Sequence, residues 1–412
     1  MRGRALYGLY LVLTVLLLSE IGARVIFATR LGPRTLWYGT SWWRREVESE
    51  EEGRVRVVPD RTRDHVQGRR RWKQHEARLD TVESHENVVA GEGYSKYHPH
   101  EHKVHWDVDT GEVFPVTINE HGFRGEDYAI EKRPGVVRVV TLGASSTFGF
   151  YNRDDETYPH QLEEILARRC PNREFEVLNL GMPHSTSGQI LALFRDEALP
   201  LRPDVVTFYQ GRNDTHAEPP AKGWPARARD AVAERSLLVN WMVHLSGPDD
   251  EMVTHLGETF ERDAAAIIEP YLEHVGAIRD ECRRRDILFV VANQQSNSKT
   301  WFGRPAAERL ALRGVTYQDE VDEILSQVDR GEPITQFQYK FLIHHRMMEQ
   351  LEVWATRNEV PFADVIGRLD HDRHYLLTWV HLHPEANRMV AETLADQIEP
   401  RICLGSVGSV PP

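Results

Sequence analysis

From residue 137 onward, short apolar runs alternate with longer segments of helical spacing. Each apolar run has the length and the β-rich composition of a buried strand. The predicted strands cover residues 137–142, 175–180, 204–209, 287–292 and 360–365, and the predicted helices cover residues 160–168, 189–198, 267–285, 339–357 and 389–398. Strands that alternate with helices indicate crossover connections and a parallel sheet covered on both faces. The pattern therefore predicts a three-layer α/β/α domain around a central, mainly parallel five-stranded sheet.

A second hydrophobic feature lies at the N-terminus. Residues 5–18 are almost purely apolar, Arg2 and Arg4 precede them, and apolar character resumes over residues 21–27. A helix that spans a membrane needs about 20 residues, so the two apolar stretches together have sufficient length. The arginines on the short N-terminal side favour an N-in orientation, with the body of the protein outside the cytoplasmic membrane.

Three interpretations of this segment are open: an uncleaved signal anchor, a cleaved signal peptide, and a buried N-terminal helix of a soluble protein. Signal peptidase needs small residues spaced as A-x-A, and neither Ala23 nor Ala28 has a small residue two positions before it. We therefore predict a transmembrane signal anchor over residues 1–30. The expected location is the cell membrane, with a single pass and an extracytoplasmic domain.

The rest of the 412-residue chain divides by composition. We predict a charged spacer and N-terminal extension over residues 31–114, the α/β domain over residues 115–402, and a C-terminal tail over residues 403–412. A proline-containing stretch, about residues 216–255, is interpreted as an insertion into the domain. The net charge of −13 argues against a nucleic-acid-binding protein, because such proteins normally carry a basic surplus.

Neither the cysteines nor the histidines predict a cofactor or a metal. The sequence has three widely separated cysteines: Cys170, Cys282 and Cys403. This spacing does not favour a thiolate zinc site, although it allows one disulfide. His98, His100 and His102 alternate, so a β-strand would place them on one face, where imidazoles bind zinc or copper. We favour the alternative interpretation, a polar surface segment.

Polar, glycine-containing turns follow the first three predicted strands, and a histidine-containing segment precedes the last helix. The turns read GASSTFG (143–149), NLGM (179–182) and GRND (211–214), and the later segment reads VHLHPE (380–385). Ligands of parallel sheets bind at the carboxyl ends of the strands. Acyl transfer needs a hydroxyl nucleophile, a base within hydrogen-bond reach, and N–H donors aimed at the developing oxyanion. These four segments contain all three kinds of group.

Ser145 follows a strand in a glycine-flanked turn, and we predict that it is the nucleophile. His381 is predicted to be the base, in preference to His383 two residues later. The amides of Ser145 and Gly181 and the side-chain amide of Asn213 are the candidate oxyanion donors. The alternatives are an ordinary turn serine at position 145 and a turn-capping asparagine at position 213.

The four segments resemble, in order and spacing, the sequence blocks of the SGNH (GDSL-like) hydrolase family. The stretch N-x-x-GFRG at residues 119–125 is similar to a segment of membrane-anchored members, and the resemblance covers roughly residues 115–400. It implies the flavodoxin-like SGNH fold, with Ser145 as nucleophile and His381 as general base. It further implies an oxyanion hole formed by Ser145, Gly181 and Asn213.

One position departs from the family pattern. The resemblance implies an aspartate three residues before the catalytic histidine, and Thr378 stands there instead. A carboxylate at this position normally fixes the histidine tautomer and stabilises the imidazolium. Three outcomes are open: a Ser-His dyad oriented by Thr378 or a backbone carbonyl, a substitute carboxylate from Asp370 or Asp372, and weak or lost activity.

The function predicted from these features is that of a serine esterase that cleaves acyl esters through an acyl-enzyme. The expected substrates are small-molecule or carbohydrate esters, for example O-acetyl groups on envelope carbohydrate. One alternative is an acyltransferase that uses the same site. The other is a catalytically inactive, membrane-tethered binding or assembly protein on the same fold. No cofactor and no nucleic-acid partner are expected.

Overall fold

The chain divides into two compact units, residues 1–84 with 218–251 and residues 85–217 with 252–412. The computed structural model describes residues 10, 14–15, 17–22, 24–25, 89–91, 93–108, 112–216, 256–298, 309 and 312–403. In the first unit, the described residues between Tyr10 and Val25 are helical. None of the helices among the described residues combines the length and the apolar character that crossing a membrane requires.

Several sequence predictions concern residues outside the described ones. Most of the predicted anchor at residues 1–30 lies there, as do most of the charged spacer, residues 217–255 of the insertion, and residues 404–412 of the tail. These assignments stay predictions.

Two antiparallel strand pairs, which the sequence analysis did not predict, precede the central sheet. They are β1 (Val89–Gly91) with β2 (Tyr94–Lys96), and β3 (Lys103–Trp106) with β4 (Val113–Val116). The alternating histidines fall in the connection between β2 and β3, where His100 has a φ of 54° that marks a turn. The strand that would align them is therefore absent. Among the described residues, no group of three or more His, Cys, Asp or Glu side chains is arranged to hold a metal ion.

The central sheet has five parallel strands, which confirms the predicted fold class. The strands are β5 (Val136–Gly143), β6 (Glu174–Asn179), β7 (Val205–Tyr209), β8 (Leu288–Ala292) and β9 (Phe362–Ala363), and the order across the sheet is β6-β5-β7-β8-β9. All residues of β5 and β7 are buried, as expected for strands covered on both faces. This is the flavodoxin-like order, which changes direction beside β5.

Helices cover both faces of the sheet. They are α1 (Ser145–Phe148), α2 (Tyr158–Arg169), α3 (Ser187–Leu193), α4 (Gly257–Arg284), α5 (Tyr317–Asp329), α6 (Gln336–Arg357), α7 (Val365–Leu369) and α8 (Pro384–Ile402). Successive strand residues point to opposite faces. Val140 and Leu142 of β5 therefore pack in one apolar cluster with α3, α4, α5 and α6, whereas Val139 packs in the other with α2, α7 and α8.

The structure also differs from the predicted elements at β9 and at α5, and the short helices α1 and α7 were likewise not predicted. The predicted strand at residues 360–365 is reduced to the two residues of β9, because Asp364 accepts a hydrogen bond from the Gly367 N–H and caps the start of α7. Helix α5 was not predicted. It buries Tyr317 and Val321 in the same cluster as α6.

A disulfide ties together the ends of α2 and α8. Cys170 directly follows α2, Cys403 directly follows α8, and their Cα atoms are 5.8 Å apart. The two helices pack against each other on the same face of the sheet. The third cysteine, Cys282, is a buried free thiol on α4.

Candidate active site

Three of the predicted polar turns meet at one edge of the sheet. Because β5 lies between β6 and β7, the turn that contains Ser145 has the Gly181 turn on one side and the Asn213 turn on the other. A side chain at Gly143 would collide with the Tyr209 carbonyl oxygen at 2.5 Å. The glycine therefore allows β5 to turn sharply into α1, which begins at Ser145.

The structure brings Ser145 and His381 into contact across 236 positions of sequence, with 2.8 Å between Ser145 Oγ and His381 Nε2. Both residues are only partly buried, so the pair stays accessible from outside. A short backbone turn presents the histidine, since the Leu377 N–H donates to the His381 carbonyl at 2.8 Å. The geometry is that of a hydroxyl within reach of a base.

The other ring nitrogen, His381 Nδ1, lies 2.9 Å from Thr378 Oγ1. The Phe150 ring stacks on the imidazole with 5.2 Å between centroids and 14° between planes, and the Tyr151 ring stands edge-on to it at 5.4 Å. Asp370 instead accepts a hydrogen bond from the Tyr317 N–H. A hydroxyl and two aromatic rings are thus among the groups that orient the imidazole.

The rival histidine, His383, points elsewhere. Its Nδ1 pairs with Glu385, and its ring stacks on Tyr375 at 5.8 Å. Of the two histidines, His381 is the one that contacts Ser145.

The candidate oxyanion donors differ in how they are engaged. The Ser145 N–H is at the first position of α1, where a helix provides no internal acceptor. The Gly181 N–H donates to Asn179 Oδ1 at 3.0 Å, so it would have to share its proton with an oxyanion. Asn213 donates from Nδ2 to the Ser185 carbonyl at 3.0 Å, and the amide group has a second N–H.

A buried polar network holds the Asn213 turn against α3. Asp214 accepts from the Ser187 N–H at 2.9 Å and from the Ser187 hydroxyl at 2.5 Å, and its other oxygen accepts from Gln210 Nε2 at 3.1 Å. Ser187 Oγ also contacts His274 Nδ1 at 2.9 Å. Burial raises the pKa of the Asp214 carboxyl above its usual value of 3.8, although the three hydrogen bonds act in the opposite direction.

Two features at this edge of the sheet were not predicted from the sequence. Arg124, in the GFRG stretch, is buried and donates to the carbonyls of Phe148 and Gly149, at 3.0 and 2.7 Å, and thus caps the carboxyl end of α1. The second feature is a run of six buried polar residues directly after β8: Asn293, Gln294, Gln295, Ser296, Asn297 and Ser298. The available signal was their position at the end of the fourth strand, on the same edge of the sheet as Ser145.

A protein-family model matches more than half of the chain. Residues 141–389 match the model of the GDSL-like lipase/acylhydrolase family. No curated protein matches the chain.

Similar solved structures include a GDSL-like lipase from Bacteroides thetaiotaomicron, with 14% identity, a TM-score of 0.33, and coverage of 64% of this chain and 89% of that one. A member of the lipolytic protein G-D-S-L family from Veillonella parvula has 11% identity, a TM-score of 0.37, and coverage of 65% and 100%. A catalytic mutant of an acetylxylan esterase from Geobacillus stearothermophilus has 12% identity, a TM-score of 0.36, and coverage of 64% and 94%.

Proposed function

Because the chain belongs to the GDSL-like lipase/acylhydrolase family and is thus a hydrolase that acts on ester bonds, we propose that it is a serine esterase with Ser145 as nucleophile and His381 as general base. The observation that carries this proposal is the 2.8 Å contact between Ser145 Oγ and His381 Nε2. Such a contact lets the imidazole remove the hydroxyl proton as the oxygen attacks.

The proposed reaction has two stages. Ser145 Oγ attacks the ester carbonyl while its proton moves to His381 Nε2, and the tetrahedral intermediate collapses as the imidazolium protonates the leaving alcohol. Water then attacks the acyl-enzyme and gives one proton to His381. As the bond between the acyl group and Ser145 Oγ breaks, His381 returns this proton to Oγ, and the carboxylic acid is released.

Oxyanion stabilisation is assigned to the Ser145 N–H and the Asn213 side-chain amide, with Gly181 as a third donor. The Asn213 amide has one N–H on the Ser185 carbonyl, which orients the group and leaves the second N–H for the oxyanion. Loss of one such donor typically lowers kcat by about 100- to 1,000-fold. The Gly181 N–H stabilises the oxyanion only as far as the oxyanion competes with Asn179 Oδ1 for its proton.

The proposed substrates are acyl esters of envelope carbohydrate, with O-acetyl groups as the first class to test, and the proposed location is the outer side of the cytoplasmic membrane. Two observations support this location. Residues 5–18 are apolar and follow Arg2 and Arg4, as in an N-in anchor. The disulfide between Cys170 and Cys403 is of a kind that persists in oxidising compartments outside the cytoplasm.

Thr378 favours a second candidate function, a membrane-tethered binding or assembly protein that retains the fold without turnover. A threonine hydroxyl contacts His381 Nδ1 without the negative charge that stabilises an imidazolium. Acyl transfer to a sugar hydroxyl, in place of water, would use the same Ser145 and His381 and is distinguished by product analysis.

The proposal is tested by labelling the full chain, purified in detergent, with a fluorophosphonate probe. Wild type should be labelled, and Ser145→Ala should not. Ser326→Ala, which alters an exposed serine on α5, is the matched control and should be labelled like wild type. Failure to label folded wild type would overturn the esterase proposal in favour of the binding protein. Hydrolysis of p-nitrophenyl acetate by wild type and its loss in His381→Ala would establish turnover.

A further inference from the structure

One buried amide joins the elements that carry the proposed catalytic groups. Gln294 lies two residues beyond β8 and is 2% exposed, and its backbone N–H lies 3.1 Å from Met348 Sδ. Its Oε1 accepts a hydrogen bond from the Arg212 N–H at 2.7 Å, and its Nε2 lies 3.3 Å from Ser146 Oγ. It therefore bridges the turn before Asn213 and the residue after Ser145.

The direction of each hydrogen bond along this bridge is fixed. A backbone N–H only donates, so the oxygen of the Gln294 amide must face Arg212, and the nitrogen must face Ser146. Ser146 Oγ then accepts from Gln294 and donates its own proton to the Val380 carbonyl at 3.1 Å. The result is one chain of bonds from the Asn213 turn through the nucleophile turn to the residue before His381, in which the two middle members, Gln294 and Ser146, each both donate and accept.

A second residue of the same run holds the other side of the histidine turn. The Asn297 N–H donates to the Trp379 carbonyl at 3.0 Å, and Asn297 Nδ2 donates to the Thr378 carbonyl at 2.9 Å. The turn that presents His381 is thus fixed to the segment after β8 at its start, through Asn297. Gln294 fixes it near its end, through Ser146.

We propose that Gln294 is a positioning residue, which sets the distance between the nucleophile Ser145, the base His381 and the oxyanion donor Asn213. The inference rests on the proposed esterase function. It assigns to one amide the alignment of three groups that lie on three separate elements. Displacement of a reacting group by about 1 Å can lower a rate by about 100-fold, so a bridge of this kind acts on turnover.

The test compares Gln294→Met with Asn293→Leu in the full chain. Asn293 is the adjacent buried amide and also makes two hydrogen bonds, to Asp364 at 2.7 Å and from the Ile366 N–H at 2.9 Å, but these brace the start of α7. Each variant therefore removes one buried amide with two partners. With p-nitrophenyl acetate as the probe, Gln294→Met should lower kcat about 10- to 100-fold with little change in KM, whereas Asn293→Leu should keep kcat within about twofold.

A second variant helps to distinguish the loss of the hydrogen bond to Ser146 from a loss of folding. Gln294→Glu keeps the size and the acceptor for Arg212, but a carboxylate has no proton to donate to Ser146. Its kcat should also fall at a pH at which the carboxylate is ionised, and the melting temperature of each variant is measured to establish that the protein is folded in the assay.

The outcomes separate the two proposals. The inference alone would be overturned by one combination of results. In it, wild type is active, Ser145→Ala is inactive, and the three variants Gln294→Met, Gln294→Glu and Asn293→Leu all have the same kcat. A wild type that neither labels with fluorophosphonate nor hydrolyses the probe would overturn the esterase function, and the positioning role with it. A fall in kcat confined to the two Gln294 variants supports the inference.

Discussion

Thr378 Oγ1 and His381 Nδ1 are 2.9 Å apart, where a carboxylate would complete a Ser-His-Asp triad. The same hydroxyl accepts from the Val380 N–H at 3.3 Å and from the His381 N–H at 3.1 Å. A hydroxyl has two acceptor positions and one proton, so these bonds direct the proton of Thr378 toward Nδ1. While the Thr378 proton is directed at Nδ1, the imidazole proton is on Nε2, whereas a general base for Ser145 needs it on Nδ1. His381 therefore acts as the base only when the Thr378 hydroxyl turns and accepts the Nδ1 proton in place of the 3.3 Å bond from the Val380 N–H.

Replacement of this hydroxyl by a carboxylate is expected to accelerate the enzyme. An aspartate accepts both backbone N–H groups and the Nδ1 proton together, fixes the base-competent tautomer, and stabilises the imidazolium. Removal of such a carboxylate from a complete triad lowers kcat by about 10⁴-fold, so Thr378→Asp should recover part of that factor, at least about tenfold. The measurement is kcat for p-nitrophenyl acetate.

Thr378→Asn is the matched control, because it has nearly the shape of aspartate without its charge. It should leave kcat at or below the wild-type value. Equal activity of the aspartate and asparagine variants would show that the charge has no role, and an aspartate variant slower than wild type would contradict the tautomer argument.

Gly181 is expected to tolerate no side chain. A Cβ there would lie 2.3 Å from the Phe148 nitrogen and 2.7 Å from the Thr147 carbonyl carbon, both backbone atoms of the nucleophile helix. Gly181→Ala must therefore displace α1, with a cost of about 1–3 kcal/mol in the free energy of unfolding and a loss of most activity. Urea unfolding measures the first effect, and fluorophosphonate labelling the second.

The control for this prediction is Gly276→Ala, in the middle of α4, where the nearest atom to a new Cβ is 3.9 Å away. Alanine is favoured over glycine inside a helix by about 0.5–1 kcal/mol, so this variant should be slightly more stable than wild type and fully labelled. A Gly181→Ala protein with wild-type stability and labelling would show that the nucleophile helix moves without consequence.

The sheet was predictable because each of its strands is a short apolar run followed by a polar turn. The pattern located β5, β6, β7 and β8 to within a few residues, since buried parallel strands must be apolar on both faces. The antiparallel pairs before the sheet were missed because β1 to β4 are only three or four residues long. Runs of that length do not establish a period.

The Ser145–His381 contact was predictable from motif order, and the supporting residues were not. Gln294 and Arg124 act through backbone carbonyls and amides of other segments, and no local pattern reveals which carbonyl a side chain will meet. The hydrogen bond from the Gly181 N–H to Asn179 Oδ1 could not be predicted either, because it depends on the rotamer of Asn179. Only three-dimensional structure relates these groups to one another.

The disulfide should make stability depend on the redox state. A cross-link that closes a loop of more than two hundred residues stabilises a protein by roughly 2–5 kcal/mol, so Cys170→Ala should unfold at lower urea concentration than oxidised wild type. Reductant should lower the urea concentration at the unfolding midpoint of wild type to that of Cys170→Ala, and should leave the midpoint of the variant unchanged. If reductant does not change the unfolding midpoint of wild type, the disulfide does not contribute to stability.

Thiol counting checks the pairing independently. Burial raises the pKa of the Cys282 thiol to about 12, so at pH 8 it is almost wholly protonated, and its burial also hinders access. Native, unreduced protein should therefore show no reactive thiol. Unfolding without reductant should expose one, and unfolding with reductant should expose all three. Three reactive thiols without reductant would contradict the disulfide.

Asp214 is expected to make the protein less stable as the pH rises. Burial raises the pKa of this carboxyl above 3.8, so the folded protein binds its proton more tightly than the unfolded chain does. Its contribution to the free energy of unfolding is thus fully present below pH 3.8 and is lost as the pH rises through the folded-state pKa. Asp214→Asn cannot titrate, so the stability of wild type relative to this variant should fall across that range, measured by urea unfolding at a series of pH values. If the stability of wild type relative to Asp214→Asn instead rises with pH, the hydrogen bonds from Ser187 and Gln210 outweigh the effect of burial. The carboxyl group that holds the Asn213 turn would then be stabilised as an anion.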